Sequence, residues 1–125
     1  MGTLRMATAA LVLVAALGLP SAAQQPKPVS FSKDVMPIFK ASCLKCHKAD
    51  KKKGKLDMST YAALMKGGEG GAPVQAGDPD KSLLISMIFS ADPKTPPDMP
   101  EEGPPLKKDQ VDLISRWIKE GAKND

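Results

Sequence analysis

Both cysteines and the only histidine of this chain fall within five consecutive positions, C-L-K-C-H, from Cys43 to His47. No other feature so narrows what the chain can become. Three strong metal ligands stand in one short stretch, and no second histidine exists to complete a coordination sphere from elsewhere. Two thiols three positions apart at the end of a helix lie on one side of it, where both can reach the vinyl groups along one porphyrin edge. His47 can then offer a ring nitrogen to iron as the proximal ligand, which is the pattern of c-type haem attachment. Its other nitrogen is expected to donate to a backbone carbonyl, which fixes the tautomer.

Three other chemistries compete for the same residues. A zinc site would need an Asp or Glu as its fourth ligand, since no further Cys or His remains. A redox-active C-x-x-C pair would be expected to follow a strand in a βαβ unit, and no such pattern precedes Cys43. A disulfide across so small a loop would constrain little of the unfolded chain and would leave the adjacent histidine unexplained.

The chain begins with Arg5, an apolar run from about Ala9 to Leu19, and small residues at Ser21 and Ala23. This order of charge, apolar core and small residues is that of a secretory signal, with cleavage expected after Ala23. The run is shorter than the roughly 20 residues a spanning helix needs, so a retained anchor is the weaker alternative. The expected location is periplasmic or otherwise exported. Removing residues 1–23 leaves roughly 100 residues, one small domain. Its large side chains are few: Phe31, Phe39, Tyr61, Phe89 and Trp117. A bulky apolar cofactor would supply what such a core lacks.

Periodicity predicts a mainly helical domain with long loops. In "SKDVMPIFKASCLKCH", Val35, Ile38, Phe39 and Ser42 share a face, with Asp34 as the expected cap and Pro37 at the third helical position. A second helix is expected in "STYAALMKGG", capped by Ser59 and stopped by Gly67. "GDPDKSLLISMIFS" predicts a third, with Asp78 at the cap and Pro79 first. "GGEGGAP" reads as a flexible loop, and the six prolines of "ADPKTPPDMPEEGPPL" exclude helix or central strand. "LKKDQVDLISRWIKEGA" is the most regular stretch, with Val111, Ile114, Trp117 and Ile118 on one stripe and Gly121 as terminator.

Histidine being exhausted, methionine is the natural second axial ligand, a soft sulfur that raises the reduction potential. Met36 precedes the motif, Met65 and Met87 sit in helical, apolar surroundings suited to core packing, and Met58 follows the turn closely. Met99 differs from these, lying in "TPPDMPEEGPP", outside any helix, where prolines stiffen the loop and reduce the entropy lost on ligation.

Charge is unevenly placed. From Gln24 to Lys66 there are ten Lys against three acids, and from Gly67 onward seven basic residues against eleven acids. Lys45, Lys48, Lys51, Lys52 and Lys53 crowd the cysteine motif. An exported chain with few aromatics is a poor nucleic-acid binder, so an acidic redox protein is the expected partner of this patch. A membrane would be a partner only if the leading segment were retained.

The blocks "FSKDVMPIFKASCLKCH", "GKLDMSTYAALMKGG", "GDPDKSLLISMI", "DMP" and "WIKEGA" resemble the small planctomycete-type cytochrome c domains, within the class I c-type cytochromes. The resemblance runs from Phe31 to Ala122. It implies an all-α cytochrome c fold of about four helices with long loops around one covalently bound haem c. It carries haem binding onto Cys43, Cys46 and His47 and the distal ligand onto Met99, so that His47 and Met99 hold the metal. It also implies that Phe39 and Trp117 meet where the first and last helices cross. Glu101 stands where the family usually has a second proline, and "EEG" lengthens the loop. The expected organisation is a signal peptide at 1–23, a leader at 24–30 and a mono-haem cytochrome c domain at 31–125. The expected function is that of a carrier of single electrons, not an enzyme, since no base, nucleophile or open metal position is visible. A five-coordinate haem sensor or small-gas binder, or a haem subunit of a larger oxidoreductase, are the alternatives.

Overall fold

A computed structural model describes Gly2, Gly18 and residues 25–125. The leading segment and its expected cleavage after Ala23 lie outside the described residues. Among these residues four α-helices are joined by long connections: α1 Met36–Ser42, α2 Tyr61–Lys66, α3 Leu83–Ile88 and α4 Lys108–Lys119. Two strands of two residues each, β1 His47–Lys48 and β2 Lys51–Lys52, pair antiparallel with His47 opposite Lys52. The mainly helical expectation therefore holds. No helix among the described residues is long and apolar enough to cross a membrane.

The entry to α1 departs from expectation. Helical structure begins at Phe31, and the cap is Ser30, whose Oγ accepts from the Lys33 N–H at 3.1 Å. Asp34 reaches back to accept from the Ser30 N–H at 2.8 Å, so the acid closes the reciprocal half of the cap instead of forming it. The turn Phe31–Val35 is wide: the Val35 and Met36 N–H groups donate to carbonyls five residues back. Pro37 follows immediately. In regular α geometry its ring would press on the carbonyl four residues earlier, and a wide turn relieves that crowding.

The other caps also shift. Thr60, not Ser59, caps α2 by accepting from the Ala63 N–H at 3.1 Å, because Ser59 is already tied to the Asp57 carboxylate. Gly67 stops the helix at φ 79°, as expected. Asp78 caps a separate turn through the Lys81 N–H at 3.2 Å, and α3 begins only after Ser82. Ser82 is buried with its hydroxyl held by Gln75 and Asp78, which prevents the two segments from merging into one helix.

Burial of Val111, Ile114, Trp117 and Ile118 sets the orientation of α4. Phe39 and Trp117, which the family resemblance brings together, are buried in one core, and Phe31 packs on both, its ring centroid 5.3 Å from Trp117 and 6.3 Å from Phe39. Tyr61 joins at 5.3 Å from Phe31. The wide turn, more than α1 proper, thus lies against α4. Tyr61 and Trp117 place their polar ends on the Ala122 and Lys123 carbonyls at 2.8 and 2.9 Å, so neither buries an unmet donor. Truncating an aromatic so deeply packed costs roughly 3–5 kcal/mol. Phe89 does not join this core, being 48% exposed at the end of α3.

Residues at the end of the leader pack with the domain. Val29 is buried and its N–H donates to Glu120 at 2.8 Å, while Arg116 donates to the Lys27 carbonyl at 3.2 Å.

Candidate functional site

The attachment motif sits where α1 runs out into a hairpin. Cys43 ends the helix, its N–H donating to the Phe39 carbonyl at 2.8 Å. The Cys46 and His47 N–H groups both return to the Cys43 carbonyl, at 3.1 and 3.0 Å, which folds the five residues into one tight turn. His47 is then held from two more directions. It pairs with Lys52 across the hairpin, and its carbonyl accepts from the Met58 N–H at 2.9 Å. The Lys53 N–H donates to the Cys46 carbonyl at 2.9 Å, tying the hairpin back to the second cysteine.

Cys43 and His47 open onto a cavity with about 840 Å³ of empty space, part of it open to solvent. Because the space is apolar and opens to solvent on one side, a flat group could enter it with one edge exposed. Its walls are largely apolar, and Met58, Leu84, Met87, Ile88 and Met99 line it together with Cys43 and His47. Cys46 lies on an adjoining depression, which shares Cys43, His47 and Met99 with the main cavity and is rimmed by Lys53 and Glu101. All four residues singled out in the sequence therefore meet at one place.

Their arrangement suits a broad planar group more than a single ion. Among the described residues, no three His, Cys, Asp or Glu side chains converge as a metal site would require. A four-ligand zinc centre needs that convergence. Thiols that bond a macrocycle's rim do not, because the rim holds them away from its centre. The Nδ1 of His47 is buried without a hydrogen-bond partner. The expected donation from this ring to a backbone carbonyl is thus not made in the described residues. An unmet buried ring nitrogen costs about 1–3 kcal/mol, and a ring that turns to ligate a metal and engage a neighbour removes that cost. Burial pushes the Cys43 thiol up to about 11, so at neutral pH it stays in the uncharged S–H form, suited to an apolar wall. On these grounds the residues present fit a haem.

The proline-rich loop that carries Met99 is anchored by the Met99 N–H, which donates to the Met87 carbonyl at 2.8 Å. Met58 and Met87, read from sequence as neighbour and core residue, line the same cavity as Met99. Met58 is almost fully buried, whereas Met87 and Met99 are half-buried.

Two features of the site escape a reading of the sequence. The first is the loop "GGEGG", expected to be flexible, which packs backbone against backbone on the turn that follows the hairpin. The Glu69 N–H donates to the Gly54 carbonyl at 2.8 Å, and a side chain on Gly68 would come within 2.4 Å of that same carbonyl oxygen. The density of glycines was the available sign, since close backbone approach requires them. The second is charge pairing around the motif. Lys53 meets Glu101 at 2.7 Å, Lys45 meets Glu102 at 3.9 Å, Lys48 meets Asp50 at 3.6 Å and Lys55 meets Glu69 at 3.2 Å. Hydrogen bonding to the Glu101 carboxylate holds the Lys53 ammonium above its usual range, and the same bond holds Glu101 below the usual carboxylate range. The basic patch is therefore less free than its sequence implied. Lys40, Lys51 and Lys52 are exposed and form no ion pair among the described residues.

Residues 43–103 match the family described as Planctomycete cytochrome C. That span is narrower than the resemblance from Phe31 to Ala122, but it contains Cys43, Cys46, His47 and Met99. No curated protein and no solved structure matches the chain.

Proposed function

Because this chain belongs, through residues 43–103, to the planctomycete cytochrome C family, we propose that it is an exported mono-haem c-type cytochrome carrying single electrons between redox partners. The observation that carries this reading is the meeting of Cys43, His47 and Met99 on one apolar cavity, with an unpartnered His47 nitrogen buried beside it. Cys43 and Cys46 would hold haem c by two thioether bonds, with His47 and Met99 as the axial ligands in a small cytochrome c fold. When bound, the haem supplies a one-electron ferric–ferrous couple.

The chain's own residues set the conditions for that couple. The tight turn from Cys43 to His47 fixes the imidazole relative to both attachment points, which limits reorganisation. Met99 offers a soft sulfur that favours the ferrous state, and the apolar wall of Met58, Leu84 and Ile88 keeps water away and the local dielectric low. With His47 and Met99 both given to the haem, the iron would offer no open position to a substrate, and on this reading the protein is a carrier and not an enzyme. Export rests on the order of charge, apolar run and small residues in 1–23.

The test is the spectrum of protein matured with the haem-attachment machinery. Ferric protein is expected to show the weak long-wavelength sulfur-to-iron charge-transfer band, and ferrous protein to bind carbon monoxide poorly. Rapid binding of carbon monoxide, with no sulfur band, would replace this reading with a five-coordinate gas binder.

The partner is a redox protein with an acidic docking face. Of the lysines around the motif, Lys45, Lys48 and Lys53 each have a carboxylate of this chain nearby. Lys51 and Lys52 on β2 are exposed and carry the free charge. Such charge steers encounter and raises association rate more than affinity. Replacing both with glutamate is expected to slow bimolecular electron transfer to the acceptor and flatten its salt dependence. In the unaltered protein the rate should fall as the Debye length shrinks from about 30 Å at 0.01 M salt to about 8 Å at physiological strength. An unchanged rate and salt dependence in the variant would reduce these lysines to a solvated turn.

A further inference from the structure

The departure "EEG" after Met99-Pro100 has a structural use. Glu101 and Glu102 lie on the loop that carries Met99, and Lys45 and Lys53 lie on the segment that carries the cysteines. Lys45 stands between Cys43 and Cys46, and the Lys53 backbone is bonded to the Cys46 carbonyl at 2.9 Å. The Glu101 carboxylate accepts from Lys53 Nζ at 2.7 Å across a separation of 48 positions, and Glu102 lies 3.9 Å from Lys45 Nζ. Met99 itself is fixed on the opposite side by its N–H on the Met87 carbonyl at 2.8 Å. The loop is thus fastened inward to the end of α3 and outward to the attachment turn, and the outward fastenings span the rim of the depression that Cys46, His47 and Met99 share.

We propose that Glu101, assisted by Glu102, is a positioning residue that clasps the Met99 loop to the attachment turn and so keeps the distal sulfur at the iron against competing ligands. This rests on the reading of Met99 as the distal ligand. A second proline at position 101 would stiffen the loop from within, by restricting its backbone. The carboxylate instead holds the loop from without, by charge. The consequence differs between the two: a proline-stiffened loop is indifferent to salt, whereas a clasp of exposed ions weakens as salt is added.

The size of the effect follows from exposure. The side chains of Lys53 and Glu101 are 49% and 51% exposed, so the pair is a solvent-screened one. Breaking it releases the loop only modestly, and the expected change in competing-ligand affinity is about two- to fivefold.

Imidazole titration of the ferric, matured protein tests this, with loss of the sulfur-to-iron band as the readout. At about pH 8 free imidazole is largely uncharged, so altering a side-chain charge does not by itself attract or repel it. Glu101→Gln is expected to raise the imidazole affinity about two- to fivefold at roughly 0.01 M salt, and the difference should close near 1 M salt, where the Debye length is about 3 Å. Lys53→Gln should do the same. Exchanging the charges, Lys53→Glu together with Glu101→Lys, should restore tight ligation, which a role in loop folding alone would not allow. Equal imidazole affinity in Glu101→Gln and the unaltered protein at low salt overturns the clasp while leaving Met99 ligation intact. A charge-exchanged variant no better than Glu101→Lys alone also overturns it. Absence of the sulfur band from the unaltered protein overturns the ligation reading, and the clasp with it.

Discussion

Replacing Cys43 and Cys46 together by serine is expected to abolish covalent haem, from one group per chain to none, as read by haem staining after denaturing electrophoresis and by acid-acetone extraction. Either single replacement should leave one thioether and a chain that retains colour through denaturation. The reason is the local geometry. The Cys46 and His47 N–H groups both return to the Cys43 carbonyl, so the two sulfurs and the imidazole are presented as one unit, and each sulfur can bond independently of the other. His47→Ala is expected to be more damaging to the fold than either single cysteine replacement. It removes an axial bond and, with it, the orientation of the group that fills the cavity. A doubly substituted chain that still carried haem through denaturation would show that attachment does not run through these sulfurs.

Met99→Ala is expected to erase the sulfur-to-iron band and to lower the reduction potential by on the order of a tenth of a volt or more, a fraction of the roughly 0.8 V that axial ligands command. Loss of a soft sulfur removes a ligand that favours ferrous iron, so the sign is downward. The controls are informative because Met58 and Met87 line the same cavity. Met58→Ala should keep the band but destabilise the protein by roughly 2–5 kcal/mol, since Met58 is almost fully buried and its truncation leaves a void. Met87→Ala should also keep the band, with a smaller loss of stability because this side chain is half-buried. Loss of the band in either control, with its persistence in Met99→Ala, would move the distal bond to another sulfur.

What could be read along the chain without its structure were the features set by neighbours within a turn or two. C-L-K-C-H needs only a spacing of three and an adjacent histidine, and the Cys46 and His47 N–H groups close it into one turn on the Cys43 carbonyl, three and four positions back. The stripe Val111, Ile114, Trp117 and Ile118 is a property of the 3.6-residue period alone, and all four are buried. Caps were less legible. At each of three helix starts a second cap-forming residue stood nearby, and Ser30, Thr60 and Ser82 took the positions expected for Asp34, Ser59 and Asp78. Asp57 had claimed Ser59, and a turn of its own had claimed Asp78. Only the tertiary structure decided which distant residues meet. It packed Phe31 on both Phe39 and Trp117, brought Met58 and Met87 to the cavity beside Met99, laid the glycine loop on the turn that follows the hairpin and set Glu101 on Lys53. Hydrogen bonding within a turn depends on sequence spacing, which the chain carries explicitly. Contacts across tens of residues depend on the path of every connection between them, and the burial of a shared core selects that path.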